Sequence, residues 1–153
     1  MTFLVFSDSH GNLASMKEIC QKEPHDKLIF LGDCLRDIQL FGRIYPGEHI
    51  FAVAGNNDGF THPEEKIIEG GGLHILCCHG HKYHVKNTYG RLHSAAVEKG
   101  CSAALFGHTH HQFACLKDGI LLLNPGSVGY KNEYALLKID NGKAEYQLKS
   151  HAK

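Results

Sequence analysis

The first third of the chain is made of short apolar runs that each stop at a polar cluster. Thr2 to Ser7 ends at Asp8-Ser9-His10, Lys27 to Leu31 at Gly32-Asp33, and His49 to Ala54 at Gly55-Asn56-Asn57-Asp58. Runs of this kind, bounded by turn-forming residues, read as strands. Between the first two, Asn12 to Gln21 brings Leu13, Met16 and Ile19 or Cys20 onto one face at helical spacing, and Asn12 reads as the N-cap. A second helix is predicted from Leu35 to about Ile44. In an open α/β sheet, ligands bind beyond the carboxyl ends of the parallel strands, and three successive strand ends here carry polar clusters.

The second half has a different rhythm. Lys66 to Glu69 and Leu73 to Cys78 flank Gly70-Gly71-Gly72 as a hairpin. A helix follows from roughly Thr88 to Lys99, and Ser102 to Phe106 is a strand that runs into Gly107-His108. The runs Phe113 to Lys117, Ile120 to Leu123, Tyr134 to Ile139 and Ala144 to Leu148 are separated by Asp118-Gly119, by a loop from Asn124 to Gly129, and by Asn141-Gly142. Asp-Gly and Asn-Gly are strong hairpin signals, so the last third is predicted to be antiparallel. Two sheets covered by helices is the simplest packing of these elements.

Composition narrows the class. At 153 residues with 42% apolar content, the chain fits a single domain, 1–153, with a substantial core. Sixteen basic and sixteen acidic residues cancel, so there is no cationic field of the kind that binds a nucleic-acid polymer or an anionic membrane. Six cysteines form neither a C-x-x-C pair nor a disulfide-like framework and read as reduced, mostly buried side chains. No stretch is long enough to cross a membrane, and the first apolar run is a strand rather than a leader; a cytoplasmic protein is expected.

Thirteen histidines are many for this length, and several fall at strand ends. Asp8-Ser9-His10, His79-Gly80-His81 and His108-Thr109-His110 share an i, i+2 spacing, which points both side chains to one side wherever the backbone stays extended. One ion can then take both. With Asp33 and Asn56 the motifs supply carboxylate, amide and imidazole but no thiolate, a set suited to manganese, iron, zinc, cobalt or nickel rather than calcium.

In order, D-x-H, G-D, G-N-x-D, H-G-H and G-H-T-H resemble the calcineurin-like metallophosphoesterase superfamily and, within it, the short YfcE-like phosphodiesterases. The resemblance runs from Asp8 to Asn124-Pro125-Gly126-Ser127, which is similar to the family's closing loop. It implies a four-layer αββα sandwich of two mixed β-sheets flanked by helices, the metallo-dependent phosphatase fold. It also implies two divalent ions, and of the metals that suit this ligand set manganese is the first choice. Asp8, His10, Asp33 and His110 would hold one ion; Asp33, Asn56, His79 and His108 would hold the other, with Asp33 bridging.

Two divalent ions against two carboxylates leave such a centre positive, which attracts phosphate and lowers the pKa of bound water. Asp58 is expected to orient a ligand histidine, and His81 to face substrate phosphate or stand as a loop histidine. Many superfamily members have histidine at the third position of G-N-H-D/E; this chain has Asn57, which donates a hydrogen bond but cannot act as a general acid. The implied activity is hydrolysis of a small phosphate ester, a diester by subfamily and a monoester as the variant, by attack of metal-bridging hydroxide. The rival reading is a non-catalytic metal-binding scaffold resembling the retromer scaffold subunit. A homo-oligomer is compatible with either.

Overall fold

The computed structural model describes residues 1–152. Among the described residues there are ten strands and four α-helices. They run β1 Thr2–Phe6, α1 Leu13–Lys22, β2 Lys27–Phe30, α2 Leu35–Ile44, β3 Ile50–Ala52, β4 Glu65–Gly70 and β5 Leu73–Cys78, then α3 Gly90–Glu98, β6 Ala103–Leu105, β7 Gln112–Lys117, β8 Ile120–Pro125, α4 Val128–Lys131, β9 Glu133–Asp140 and β10 Lys143–Ser150. One sheet has the order β10-β9-β1-β2-β3 and the other β4-β5-β6-β8-β7. In the first sheet the parallel run β1-β2-β3 reaches one edge and antiparallel β9 and β10 lie on its other side; in the second a parallel centre, β5-β6-β8, is flanked by antiparallel β4 and β7.

The layering follows from alternation along strands that are apolar on both faces. Phe3 and Val5 of β1 point into a core shared with Ile75, Cys77, Ala103, Leu105, Leu121 and Leu123 of the other sheet. Leu4 and Phe6 point the opposite way, onto Met16 and Ile19 of α1 and Leu35, Ile38 and Phe41 of α2. On the outer face of the second sheet, Leu76, Cys78, Ala104 and Leu122 pack against Leu92, Ala95 and Ala96 of α3. The stack is helix, sheet, sheet, helix, as the sequence implied.

One expectation needs correction. The hairpins at Asp118-Gly119 and Asn141-Gly142 form as predicted, with all four turn residues at positive φ, the geometry of a type I′ turn. The last third is nevertheless not one antiparallel unit. β8 lies parallel to β6, and β9 crosses to the other sheet to pair with β1. All six β8 residues are buried, so this strand belongs in a sheet interior, which a lone hairpin cannot offer. The crossing segment, read as a loop, contains α4, four residues being too few to show a helical period.

Glu23 ties this returning part to the first helix. Its carboxylate, buried at the end of α1, accepts hydrogen bonds from the Tyr134 hydroxyl (2.6 Å) and the Lys149 ammonium (2.5 Å). Burial alone would raise its pKa, but the bonds from Lys149 and Tyr134 and the nearby lysine charges hold it below the usual carboxylate value. A depressed folded value means stability that is present above the unfolded pKa of about 4.3 and lost as pH falls through the folded value. We expect Glu23→Gln to cost about 1–3 kcal/mol at neutral pH. Thermal unfolding should show the gap to wild type shrinking as pH drops below about 4.

Candidate metal centre

The five motifs meet at one edge of the sandwich, beyond the carboxyl ends of β1, β2, β3, β5 and β6. The chain does not stay extended there, contrary to the i, i+2 reading. Asp8, His10, Asp33, His108 and His110 all have φ between 43° and 68°, the left-handed region. Such residues cost on the order of 1–3 kcal/mol each and persist where their surroundings fix them. Here hydrogen bonds and glycines do so. A Cβ on Gly107 would lie 2.0 Å from Ser7 Oγ and 2.8 Å from Asp8 Oδ2; one on Gly55 would lie 2.1 Å from Asp33 Oδ1. These glycines let backbone from neighbouring strand ends close directly over the two carboxylates.

Asp8 is fully buried. Its Oδ2 accepts from Ser7 Oγ at 2.5 Å and from the His108 amide at 3.3 Å, while Oδ1 faces His110 Nε2 at 3.1 Å and His79 Nε2 at 3.9 Å. Asp33 Oδ2 lies 3.4 Å from the same His79 nitrogen. Two trios of ligand atoms result, each within 4.8 Å of one another: Asp8, His10 and His110, and Asp8, Asp33 and His79. Asp8 is common to both. His108 stands beside the second trio, its ring 5.0 Å from that of His79.

His79 Nδ1 is 2.7 Å from the Leu31 carbonyl, which can only accept, so that nitrogen carries the proton. In the neutral ring the Nε2 lone pair then points at two carboxylates. That atom is buried with no hydrogen-bond partner, and so is His10 Nε2. A divalent cation would satisfy both lone pairs and the carboxylates together, so the residues present fit the ions that the motifs imply.

The electrostatics of the protein alone carry the same tension. Burial would raise the Asp33 pKa, but the adjacent His79 ring and the Asn57 donors hold it far below the usual carboxylate range. Burial would lower that of His79, but Asp33 and Asp8 raise it. Burial, followed by the charge of His79, pushes His108 down to about 4 and lowers His81.

Other predicted residues sit differently. Asp58 orients no histidine: its carboxylate accepts from the backbone amides of Asp33 (2.6 Å), Leu35 (2.9 Å) and Gly55 (2.7 Å), joining two ligand-bearing loops. Asn56 is exposed, and it is Asn57 that reaches Asp33, its amide nitrogen to Oδ1 at 3.2 Å and its side chain to Oδ2 at 3.1 Å. His81 opens a 3₁₀ turn, His81–Tyr83, that the sequence reading missed. Its Nδ1 is buried without a partner, its ring is 5.6 Å from that of His79, and its Nε2 is 3.9 Å from Glu64. Asn12 is the N-cap, accepting from the Ser15 amide.

Two further residues, Asp37 and Tyr130, were missed. Asp37, buried in the first turn of α2, accepts from Ser9 Oγ and the Gly11 amide and so holds the Asp8-to-His10 turn. The available signal was an acidic residue at a helix N-terminus. Tyr130 of α4 stacks on His10 with ring centroids 4.3 Å apart, and Ser127 Oγ donates to the Asp8 carbonyl. No period or motif spacing marks Tyr130.

With this geometry in place, comparison with known proteins decides the family. Residues 1–142 match the calcineurin-like phosphoesterase superfamily domain. The chain belongs to that superfamily. Among curated members it is similar to the probable metallophosphoesterase YsnB of Bacillus subtilis, 29% identical over 153 residues, covering 94% of this chain and 88% of that one. Among solved structures it is similar to a predicted phosphoesterase from Streptococcus pneumoniae, with 25% identity, a TM-score of 0.76 and 97% of each chain covered. The fold is also that of zinc-complexed Vps29 from Entamoeba histolytica, at 19% identity and a TM-score of 0.77 over 97% of this chain and 98% of that one. Two mixed sheets with flanking helices are therefore the phosphoesterase sandwich, and two trios of candidate metal ligands lie at its edge.

Asp58 offers the cleanest check on how this calcineurin-like site is held. Removing its carboxylate in Asp58→Ala leaves three loop amides without their acceptor, at a cost of about 2–4 kcal/mol. Chemical denaturation should show that loss, and equilibrium dialysis should show weakened metal binding although no proposed ligand has changed.

Proposed function

We propose that the protein hydrolyses small phosphodiesters, with monoesters as poorer substrates, at a two-ion centre for which manganese is the first choice. The observation that carries this reading is the pair of buried carboxylates, Asp8 and Asp33, whose oxygens lie 3.9 Å and 3.4 Å from the same partnerless His79 nitrogen. Divalent ions bound there supply a nucleophilic water near neutral pH and take up charge developing on the phosphoryl oxygens. Asp8, His10, Asp33 and His110 would hold one ion, and Asp33, Asn56, His79 and His108 would hold the other. Asp33 is the bridge of this proposal, and the position of Asp8 in both trios makes it the second carboxylate on which both ions depend.

The chain's own residues set the rest. His79 is held in its ligating tautomer by the Leu31 carbonyl, Asn57 orients both Asp33 oxygens, and His81 faces the site beside His79. Asn57 can donate a hydrogen bond but has no proton to give a departing alkoxide, so departure rests on the acidity of the leaving group. The balanced charge of the chain disfavours a nucleic-acid polymer as substrate.

The deciding experiment measures metal content and turnover together. Chelation should abolish hydrolysis of bis-nitrophenyl phosphate, and added manganese should restore it. Asp33→Ala and Asp8→Ala should each lose more activity than the ~10–100-fold typical of residues that only orient ligands. Two ions bound with no turnover on any ester would leave the scaffold reading instead.

Leaving-group dependence gives a second test. Wild type should cleave aryl esters far faster than alkyl ones. Asn57→His should raise alkyl diester rates selectively, a positioned general acid being worth ~10²–10⁴-fold. Equal loss on both substrate classes with both ions still bound would show that Asn57 serves only to orient Asp33.

A further inference from the structure

At the opposite end of the same sheet a second group of ligand-type side chains converges. Cys20 lies in the last turns of α1, His25 in the turn before β2, and Glu48 in the turn before β3. Their Sγ, ring nitrogen and carboxylate oxygen all lie within 4.8 Å of one another, and all three residues are half-buried. The centre described above lies at the carboxyl ends of β2 and β3; this trio lies at their amino ends, roughly one strand length away, on the order of 15 Å.

The orientation of His25 is that of a ligand. Its Nδ1 is 2.7 Å from the Glu23 carbonyl, which can only accept, so Nδ1 carries the proton and the neutral ring presents its lone pair at Nε2. That nitrogen is 2.9 Å from Glu48 Oε2. A carboxylate and a lone pair do not bond each other: either a second proton sits on the ring, or a cation sits between them. Cys20 decides which cation suits the place. A bare proton has no use for a thiol at the third corner, whereas zinc binds thiolate, imidazole and carboxylate together. One thiolate and one carboxylate balance its charge exactly twofold, one negative charge each.

We propose that Cys20, His25 and Glu48 form a zinc site distinct from the phosphoesterase centre. Zinc takes the place of the thiol proton, which leaves to solvent, and the fourth position of its tetrahedron is open to water. The ion clips the end of α1 to the two turns that lead into β2 and β3. Because no proposed ligand of the other centre is a cysteine, a metal–sulfur signature separates the two.

Cobalt titrated into the wild-type protein should give a thiolate-to-cobalt charge-transfer band. The band should be abolished in Cys20→Ser, weakened in His25→Gln and retained in Cys34→Ser, whose sulfur lies 3.8 Å from His10 Nδ1. A second measurement needs no variant. Alkylation of Cys20 by iodoacetamide, followed by peptide mass spectrometry, should slow several-fold in stoichiometric zinc while that of half-buried Cys115 does not change. No thiolate band in wild type, a band that follows Cys34, or alkylation of Cys20 indifferent to zinc would overturn the proposal and leave a proton-bridged His25–Glu48 pair beside a bystander thiol.

Discussion

Two aspartates brought together at the ends of adjacent parallel strands are the constraint on which this structure turns. Asp8 follows β1 and Asp33 follows β2, and both are buried where their oxygens face the same histidine nitrogen. Like charges held this close in a poorly hydrated place repel, and the penalty of desolvating each is of the order of several kcal/mol. The protein answers part of that with donors: Ser7 and the His108 amide on Asp8, and both nitrogens of Asn57 on Asp33. What the donors leave unmet is negative charge beside two partnerless imidazole nitrogens, a demand that a divalent cation would meet.

The rest of the architecture serves this convergence. Parallel strands put several chain reversals at one edge, so residues far apart in sequence meet there without long loops. Each reversal is tight, with non-glycine residues in left-handed conformations and glycines where a neighbour's side chain would otherwise collide. Asp37 and Asp58, neither of them facing the histidine cluster, hold the turns by accepting backbone amides. The strain in the turns that carry the motifs is thus balanced by acidic side chains one layer further out.

Much of this was legible in the sequence, for identifiable reasons. Strands apolar on both faces and helices apolar on one leave distinct patterns, so β1, α1, β2 and α2 were placed almost to the residue. The motifs were legible because each joins a strand end to a residue type rarely found there without a task. What stayed hidden was whatever depends on tertiary placement. Nothing in Ile120 to Pro125 says that this strand will lie beside β6, and nothing in Tyr130 says that a helix of four residues will set it on His10. Asp58 was read as the partner of a ring because spacing gives proximity to a motif and not the direction of a carboxylate. The same limit applied to the motifs, where i, i+2 spacing suggested an extended chain and the backbone is left-handed.

The closure between the two ends of the chain bears on how the protein is made. Ser127 Oγ and the Gly129 amide both donate to the carbonyl of Asp8, and β9 is the strand that pairs with β1 on its other side. A ribosome delivers residues in order, so β1 and its aspartate emerge long before these partners exist. Until they do, the first motif has no wall behind it, and β1 presents an unpaired edge that another nascent chain could use. The turn that carries Asp8 is therefore backed only after Ser127 and Gly129 have left the tunnel, so the order of synthesis separates the appearance of its carboxylate from the fixing of its geometry.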